Sequence, residues 1–287
     1  ENTINGEAVT NLVGPKRYEH LCIHLSIARD YDEYYEEHPS AIARKFDLER
    51  EIPEDTVETL MIELLEAPCR ADIAKHMESI LGRPLEAFDI YMEDLAEQAS
   101  AAELDAKVTA KFKDELEFQA KLPEVLTGLG YSNEDAEFLG SRVNVEIARG
   151  AGHAMRPGIP EYHAWLRTNR LDDRLGWDGF DTAMHELGHN LEQLISTHFV
   201  PRPLLRNVPN TACTEAFAFL YQNKAREVVG LPEEDEEKAF ALASVEGLLA
   251  ACQIAGPSLV ELYTWRWLYQ NLDATPEQLR NQMLAIA

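Results

Sequence analysis

Residues 181–195 read Asp181-Thr-Ala-Met-His185-Glu-Leu-Gly-His189-Asn-Leu-Glu-Gln-Leu-Ile195. Apolar Met184, Leu187, Leu191, Leu194 and Ile195 recur at helical spacing, so the stretch predicts an amphipathic helix. Positions four apart share a helix face, and His185 and His189 therefore aim two imidazoles at one point. Glu186 is rotated away from them but stays beside that point. Gly188 costs about 1 kcal/mol relative to alanine in a helix interior. A glycine placed between the two histidines implies that another element approaches the backbone there.

Further along stands Glu215, in Thr214-Glu-Ala-Phe-Ala-Phe219. The segment before it, Phe199 to Asn210, carries Pro201, Pro203 and Pro209 and reads as a loop. Asn210 or Thr211 can cap the next helix, which runs through Phe217, Phe219, Leu220 and Tyr221 to about Val229, where Gly230 and Pro232 end it. Glu215 is the only carboxylate between residues 193 and 226. A lone carboxylate on an apolar helix face is costly to bury unless it is paired or holds a metal. Two histidines and a glutamate make three protein ligands with a fourth position open, the pattern of a catalytic zinc site. Zinc lowers the pKa of a bound water to about 7, and Glu186 stands where a general base is needed. One zinc ion is expected, although cobalt or manganese suits the same donors. The bland alternative is a surface helix with two solvated histidines, followed by an ordinary helix glutamate.

These residues resemble the thimet oligopeptidase and oligopeptidase F family of zinc metallopeptidases (gluzincins, with HExxH and a downstream Glu). The matching pieces are His185-Glu-Leu-Gly-His189 and Asn207-Val-Pro209 ahead of Glu215, with Arg156-Pro-Gly158 and His163-Ala-Trp-Leu-Arg-Thr-Asn169 upstream. The likeness covers roughly residues 145–270. It implies His185, His189 and Glu215 as zinc ligands and Glu186 as catalytic base. It also implies a mostly helical bowl with a small sheet beside the metal-binding helix and a channel for short peptides. One departure stands out. The family carries a His and several Tyr on a late helix, where they bind substrate and stabilise the oxyanion. Here that stretch is Ala251 to Tyr269, with Cys252 near the His position and Pro257 on the first Tyr position. Tyr263 and Arg266 are the donors it can still offer, and loss of one oxyanion donor can cost 10²–10³ in rate.

Other residues are candidates for that missing role. His153 follows the permissive Gly150-Ala-Gly152. Tyr162 and His163 flank an expected edge strand at 162–168, whose free edge would pair with an extended peptide. Solvated loop residues are the equal alternative for all three. Glu192 and Asn190 are candidates to orient a liganding imidazole, and Asp178 and Asp181 are read as helix caps. His198 at the helix end suits the dipole as a cation. His20 and His24 repeat the four-residue spacing, but residue 21 is Leu, so no second metal site is expected.

The whole chain sets wider bounds. It has 287 residues and begins with Glu1 rather than Met, as a fragment or processed chain would. Its net charge is −25, from 51 acidic and 26 basic side chains, which disfavours nucleic acid and anionic membranes as partners. No signal peptide and no transmembrane run are read from the sequence. Cys22, Cys69, Cys213 and Cys252 are scattered and form no CxxC pair, which suits free thiols and a cytoplasmic location.

Helical patterns cover 85–98, 101–120, 133–148, 236–254 and 258–270. Helix starts are marked at Pro53, Ser100 and Thr275, with an acidic run at 233–237. The expected fold is mainly α, a multi-helix zincin-like metallopeptidase with a small β-sheet beside the motif helix. The division is read as 1–140, a helical subdomain forming one wall of a cleft, and 141–287, the zinc-binding subdomain. The function expected is hydrolysis of short peptides. The alternatives are a weak or inactive zinc-containing peptide-binding protein and a metal-free helical interaction protein.

Overall fold

The structure is a computed structural model that describes residues 3–4, 7–8, 16–91, 101–148, 150–231 and 236–287. The Ser100 cap, positions 92–98 of the expected helical run and acidic positions 233–235 lie outside them. The described chain is mainly helical with a small three-stranded sheet. It separates into two compact units, Ala96–Ala239 and Glu1–Leu95 with Phe240–Ala287. These limits differ from the division read near residue 140. The reason is packing: Val108, Phe112, Phe118, Leu122, Leu126 and Leu139 share one buried core with Phe180, Met184, Leu187, Leu191 and Leu194 of the motif helix.

That helix spans Trp177–Phe199 and is the axis of the 96–239 unit. Its N-cap is Gly176, without a side-chain cap. Instead Asp105 Oδ1 accepts from the Trp177 amide at 2.7 Å. Asp178 and Asp181 are therefore not the caps that the sequence suggested. Phe112, Phe118 and Phe180 lock together at centroid distances of 5.2–5.7 Å. The expected run at 101–120 is two helices, Ala101–Lys111 and Glu115–Ala120, with Asp114 capping the second. The run at 133–148 is a helix only over Asn133–Gly140; Val143–Ile147 is a strand.

The sheet order is Val143–Ile147, Ala164–Thr168, His153–Met155. The middle strand pairs in parallel with the first and antiparallel with the last, in register His153 opposite Arg167 and Met155 opposite Trp165. This corrects the sequence expectation: Ala164–Thr168 is central, and the edge strands are Val143–Ile147 and His153–Met155. The alternation that marked 162–168 as a strand is real, with Ala164, Leu166 and Thr168 buried and Trp165 and Arg167 outward. A pattern of period two shows which face is buried, but not which neighbours flank the strand.

In the other unit, Glu236–Gln270 is one continuous helix with Pro257 inside it, where the sequence suggested two helices. A mid-helix proline removes one backbone bond at about 3 kcal/mol. Burial of Leu259, Leu262 and Leu268 just beyond it holds the helix together. By length and composition the Phe240–Gln270 part is apolar enough to cross a membrane, with mean hydropathy 1.3, a test that core helices also pass. Glu246, Gln253 and Glu261 interrupt this stretch, so it does not meet the stricter measure behind the sequence reading, an unbroken run of about 18 apolar residues. Arg266 is held by Glu54 at 2.5 Å and Glu58 at 2.7 Å. Thr275 and Gln278 form the capping box that their spacing predicted.

Candidate metal centre

Two helices build the site. Asn210 caps the second, Thr211–Gln222, by accepting from the Cys213 amide at 3.2 Å. This helix ends at Gln222 rather than near Val229, and a short helix, Ala225–Val228, follows. It crosses the motif helix at Gly188. A Cβ on Gly188 would lie 2.6 Å from Ala218 Cα and 3.1 Å from the carbonyl oxygens of Phe217 and Ala218. The close approach inferred from this glycine is present, and it brings Glu215 over the two histidines.

His185 Nε2 lies 3.4 Å from Glu215 Oε2, and His189 Nε2 lies 3.6 Å from Glu215 Oε1. The donor atoms of all three lie within 4.8 Å of one another. Tetrahedral ligands about 2.1 Å from a zinc ion stand roughly 3.4 Å apart. The donor separations and the two-nitrogen, one-carboxylate chemistry therefore fit zinc. Among the described residues this is the one group of His, Cys, Asp and Glu with such a spacing. His20 and His24 are exposed and have no third partner in such a group. Glu215 itself is 44% exposed at the side chain, so its position over the imidazoles, and not its burial, makes it a candidate ligand.

Each imidazole is prepared as a ligand. His185 Nδ1 is 2.9 Å from Gln222 Oε1. Gln222 Nε2 in turn donates to Asp181 Oδ2 at 2.6 Å, which fixes the amide orientation. With its oxygen toward His185, Gln222 accepts from Nδ1–H and leaves the Nε2 lone pair facing Glu215. The carboxylate of Asp181 is pushed above its usual range by burial, opposed by the Gln222 hydrogen bond. His189 is held below the usual imidazole range by burial, against the pull of Glu215. Neutral imidazole is the form that binds metal.

Sequence reasoning named Glu192 and Asn190 for the orienting role, and Gln222 was missed. Asn190 is fully buried and donates to Gln193 Oε1 at 3.1 Å. Glu192 is raised above the usual carboxylate range by burial, with Arg156 opposing. Gln222 had a signal that could have been read: it lies seven residues after Glu215, on the same helix face.

Glu186 is buried, and burial raises its carboxyl above the usual range, opposed by His185 and His153. The backbone of Ala154, in the strand His153–Met155, lies beside it and favours its charged form. The strand can come this close because Gly152 has no side chain; a Cβ there would lie 2.3 Å from Thr182 Cγ2 and 3.1 Å from Glu186 Oε1. A groove of about 730 Å³ opens here, lined by Gly152–Arg156 of that strand, Glu186, His189 and Glu192 of the motif helix, and Asn207, Pro209, Thr211 and Thr214 beyond it.

The structure thus brings together His185, His189, Glu215 and Glu186, with His153 lining the same groove. Tyr162 and His163 do not line the groove itself. They line an adjoining recess of about 410 Å³ with Asn144 and Trp165, which shares Arg156 with the groove, and His163 Nδ1 is 3.3 Å from Asn144 Oδ1. The strand that follows them is central, so it has no free edge for a peptide. Tyr263 and Arg266 belong to the other compact unit, where both contact Glu58. His198 is a packing residue. It meets Phe138 edge-on at 5.1 Å, and burial lowers its pKa, which works against the positive charge that the helix dipole would favour. Compared with known protein families, with curated proteins and with solved structures, the chain matches none.

Proposed function

We propose that this chain is a zinc-dependent metallopeptidase acting on short peptides, with a zincin-like arrangement related to thimet oligopeptidase and oligopeptidase F. The observation that carries the reading is the Glu215 carboxylate, placed 3.4 and 3.6 Å from His185 and His189 Nε2 with Glu186 buried beside them in an open groove. A bound Zn²⁺ would polarise a water and a peptide carbonyl in that groove. Glu186, buried beside the two histidines, would accept the water's proton. It then returns the proton to the departing amine. His153, which lines the same groove as Glu186, is the candidate donor to the developing oxyanion. Gln222 and Asp181 hold His185 in place throughout.

A second reading is a zinc-containing peptide-binding protein with little turnover. It is favoured by Tyr263 and Arg266, which are committed to Glu54 and Glu58 rather than free as substrate donors. The two readings separate by zinc analysis of the purified chain and a quenched-fluorescence peptide-library assay on wild type and Glu186→Gln. The peptidase reading expects one zinc per chain and cleavage that falls at least a hundredfold in the variant. Zinc without cleavage by either protein selects the binding reading. A chain that takes up no zinc overturns both.

A further inference from the structure

Arg156 is the cation of the groove. Among the described lining residues it is the only lysine or arginine, beside the carboxylates of Glu186 and Glu192. The chain carries 51 acidic and 26 basic side chains, so an arginine here has many carboxylates available. Others take them: Arg44 pairs with Asp32, Arg83 with Asp89, Arg170 with Glu115, and Arg266 with Glu54 and Glu58. Arg156 has no described carboxylate within ion-pairing distance. Its positive charge acts on Glu192 through space. Its side chain is exposed.

The backbone sets where this charge stands. Arg156 directly follows the edge strand His153–Met155, and the next residue is Pro157, which is buried. A residue before proline is restricted to extended conformations, so Arg156 continues the line of the strand. It lies two residues beyond Ala154, which lines the groove beside Glu186. At about 3.3 Å per residue, its Cα is roughly 7 Å further along the groove. Guanidinium offers a planar fork of donors that matches a carboxylate in two parallel hydrogen bonds.

We propose that Arg156 is a specificity-determining residue that anchors a carboxylate of the substrate, two to three residues from the scissile bond. The substrate class is therefore short anionic peptides. The inference rests on the peptidase reading above for its register, but the anchoring itself does not require turnover. The carboxylate has two sources, the C-terminus of a short peptide or an Asp or Glu side chain.

The test uses the zinc-loaded full chain and a matched peptide set. One pair of peptides ends in a free acid or an amide. Further pairs carry Glu or Gln two and three residues to either side of the cleaved bond. Cleavage is measured in wild type, Arg156→Gln and Arg156→Lys, and binding by fluorescence anisotropy in the same backgrounds carrying Glu186→Gln. A charge-assisted pair predicts a preference of about tenfold to a hundredfold for the acid member, expressed in KM rather than kcat. Arg156→Gln brings the acid-to-neutral ratio to about one, and Arg156→Lys keeps part of it. A preference confined to the free-acid pair identifies the C-terminus as the source; a preference at one Glu position identifies a side chain.

Equal use of acid and neutral peptides by wild type overturns the proposal, as does a preference that survives Arg156→Gln. If nothing is cleaved but acid peptides bind selectively through Arg156, the peptidase reading falls and the anchor stands. If no peptide is cleaved or bound, both fall.

Discussion

Gln222 decides which nitrogen of His185 is available to a metal. Its oxygen accepts from Nδ1 at 2.9 Å while its amide nitrogen donates to Asp181 at 2.6 Å, so neither end can turn over without losing a partner. Removing such an orienting residue typically weakens metal binding 10–100-fold. Gln222→Ala is therefore expected to lower zinc affinity by that factor, read by competition with a chromogenic chelator, with the folded far-UV spectrum retained. An affinity equal to wild type would remove Gln222 from the site. At this scale the sequence was legible where chemistry is encoded in spacing. The two histidines, Glu186 and Glu215 were all readable from helix geometry and the isolation of one carboxylate. Gln222 was not singled out and Arg156 entered only as part of Arg156-Pro-Gly158, with no role of its own, because glutamine and arginine are ordinary on helix faces and strand ends. Their roles come from partners made, or not made, across the fold. Tyr162 and His163 show the converse: their types suited the chemistry, but they precede a strand that lies in the middle of the sheet and offers no free edge.

The contact between the motif helix and Thr211–Gln222 is the element on which the site depends, since one carries the histidines and the other Glu215. Gly188 sets how closely they pack. Alanine would gain up to about 1 kcal/mol in helix propensity, but its Cβ would stand 2.6 Å from the Cα of Ala218, and backbone cannot rotate out of the way. Overpacking of this kind costs about 1–3 kcal/mol, so the clash outweighs the propensity. Gly188→Ala is expected to lower stability by about 1–2 kcal/mol net and to weaken zinc binding, because the helices part at the point that aligns Glu215. Gly247 is the internal control: it lies inside the long helix, and a Cβ added there would meet nothing within 4 Å, so Gly247→Ala should stabilise by up to about 1 kcal/mol. Urea unfolding midpoints of the two variants must move in opposite directions; movement in the same direction would refute the close-packing argument. The helices themselves were legible from period and caps. The strand at Val143–Ile147 was hidden because a helical pattern precedes it, and His153–Met155 is too short to show alternation. The long helix was split at Pro257 because local propensity carries no information about the burial that holds its two halves together.

For the whole molecule, each compact unit has its own buried cluster. One gathers around the motif helix, and another joins Leu25, Leu268 and Leu279. The sequence placed a boundary near 140, where glycines and a proline punctuate the chain, but punctuation marks turns as readily as domain limits. The contiguous core from Val108 to Val229 crosses that point, and the chain outside 96–239 returns to form the other unit from both ends. All three metal donors and the orienting pair Gln222 and Asp181 lie within 96–239. A ligand that binds only the native form stabilises it by mass action, about 2.7 kcal/mol at a hundred times its Kd. That stabilisation acts on the cooperative unit that holds the donors, because local opening is governed by the contacts of each unit separately. Hydrogen exchange followed by mass spectrometry should therefore show zinc slowing exchange across peptides from 101–231, beyond the motif helix and into the core helices at 101–140. Peptides from 16–91 and 240–287 should exchange at the metal-free rate. Slowing confined to the two liganding helices would mean that the 96–239 core does not unfold as one body. Equal slowing over the whole chain would mean that both clusters open together.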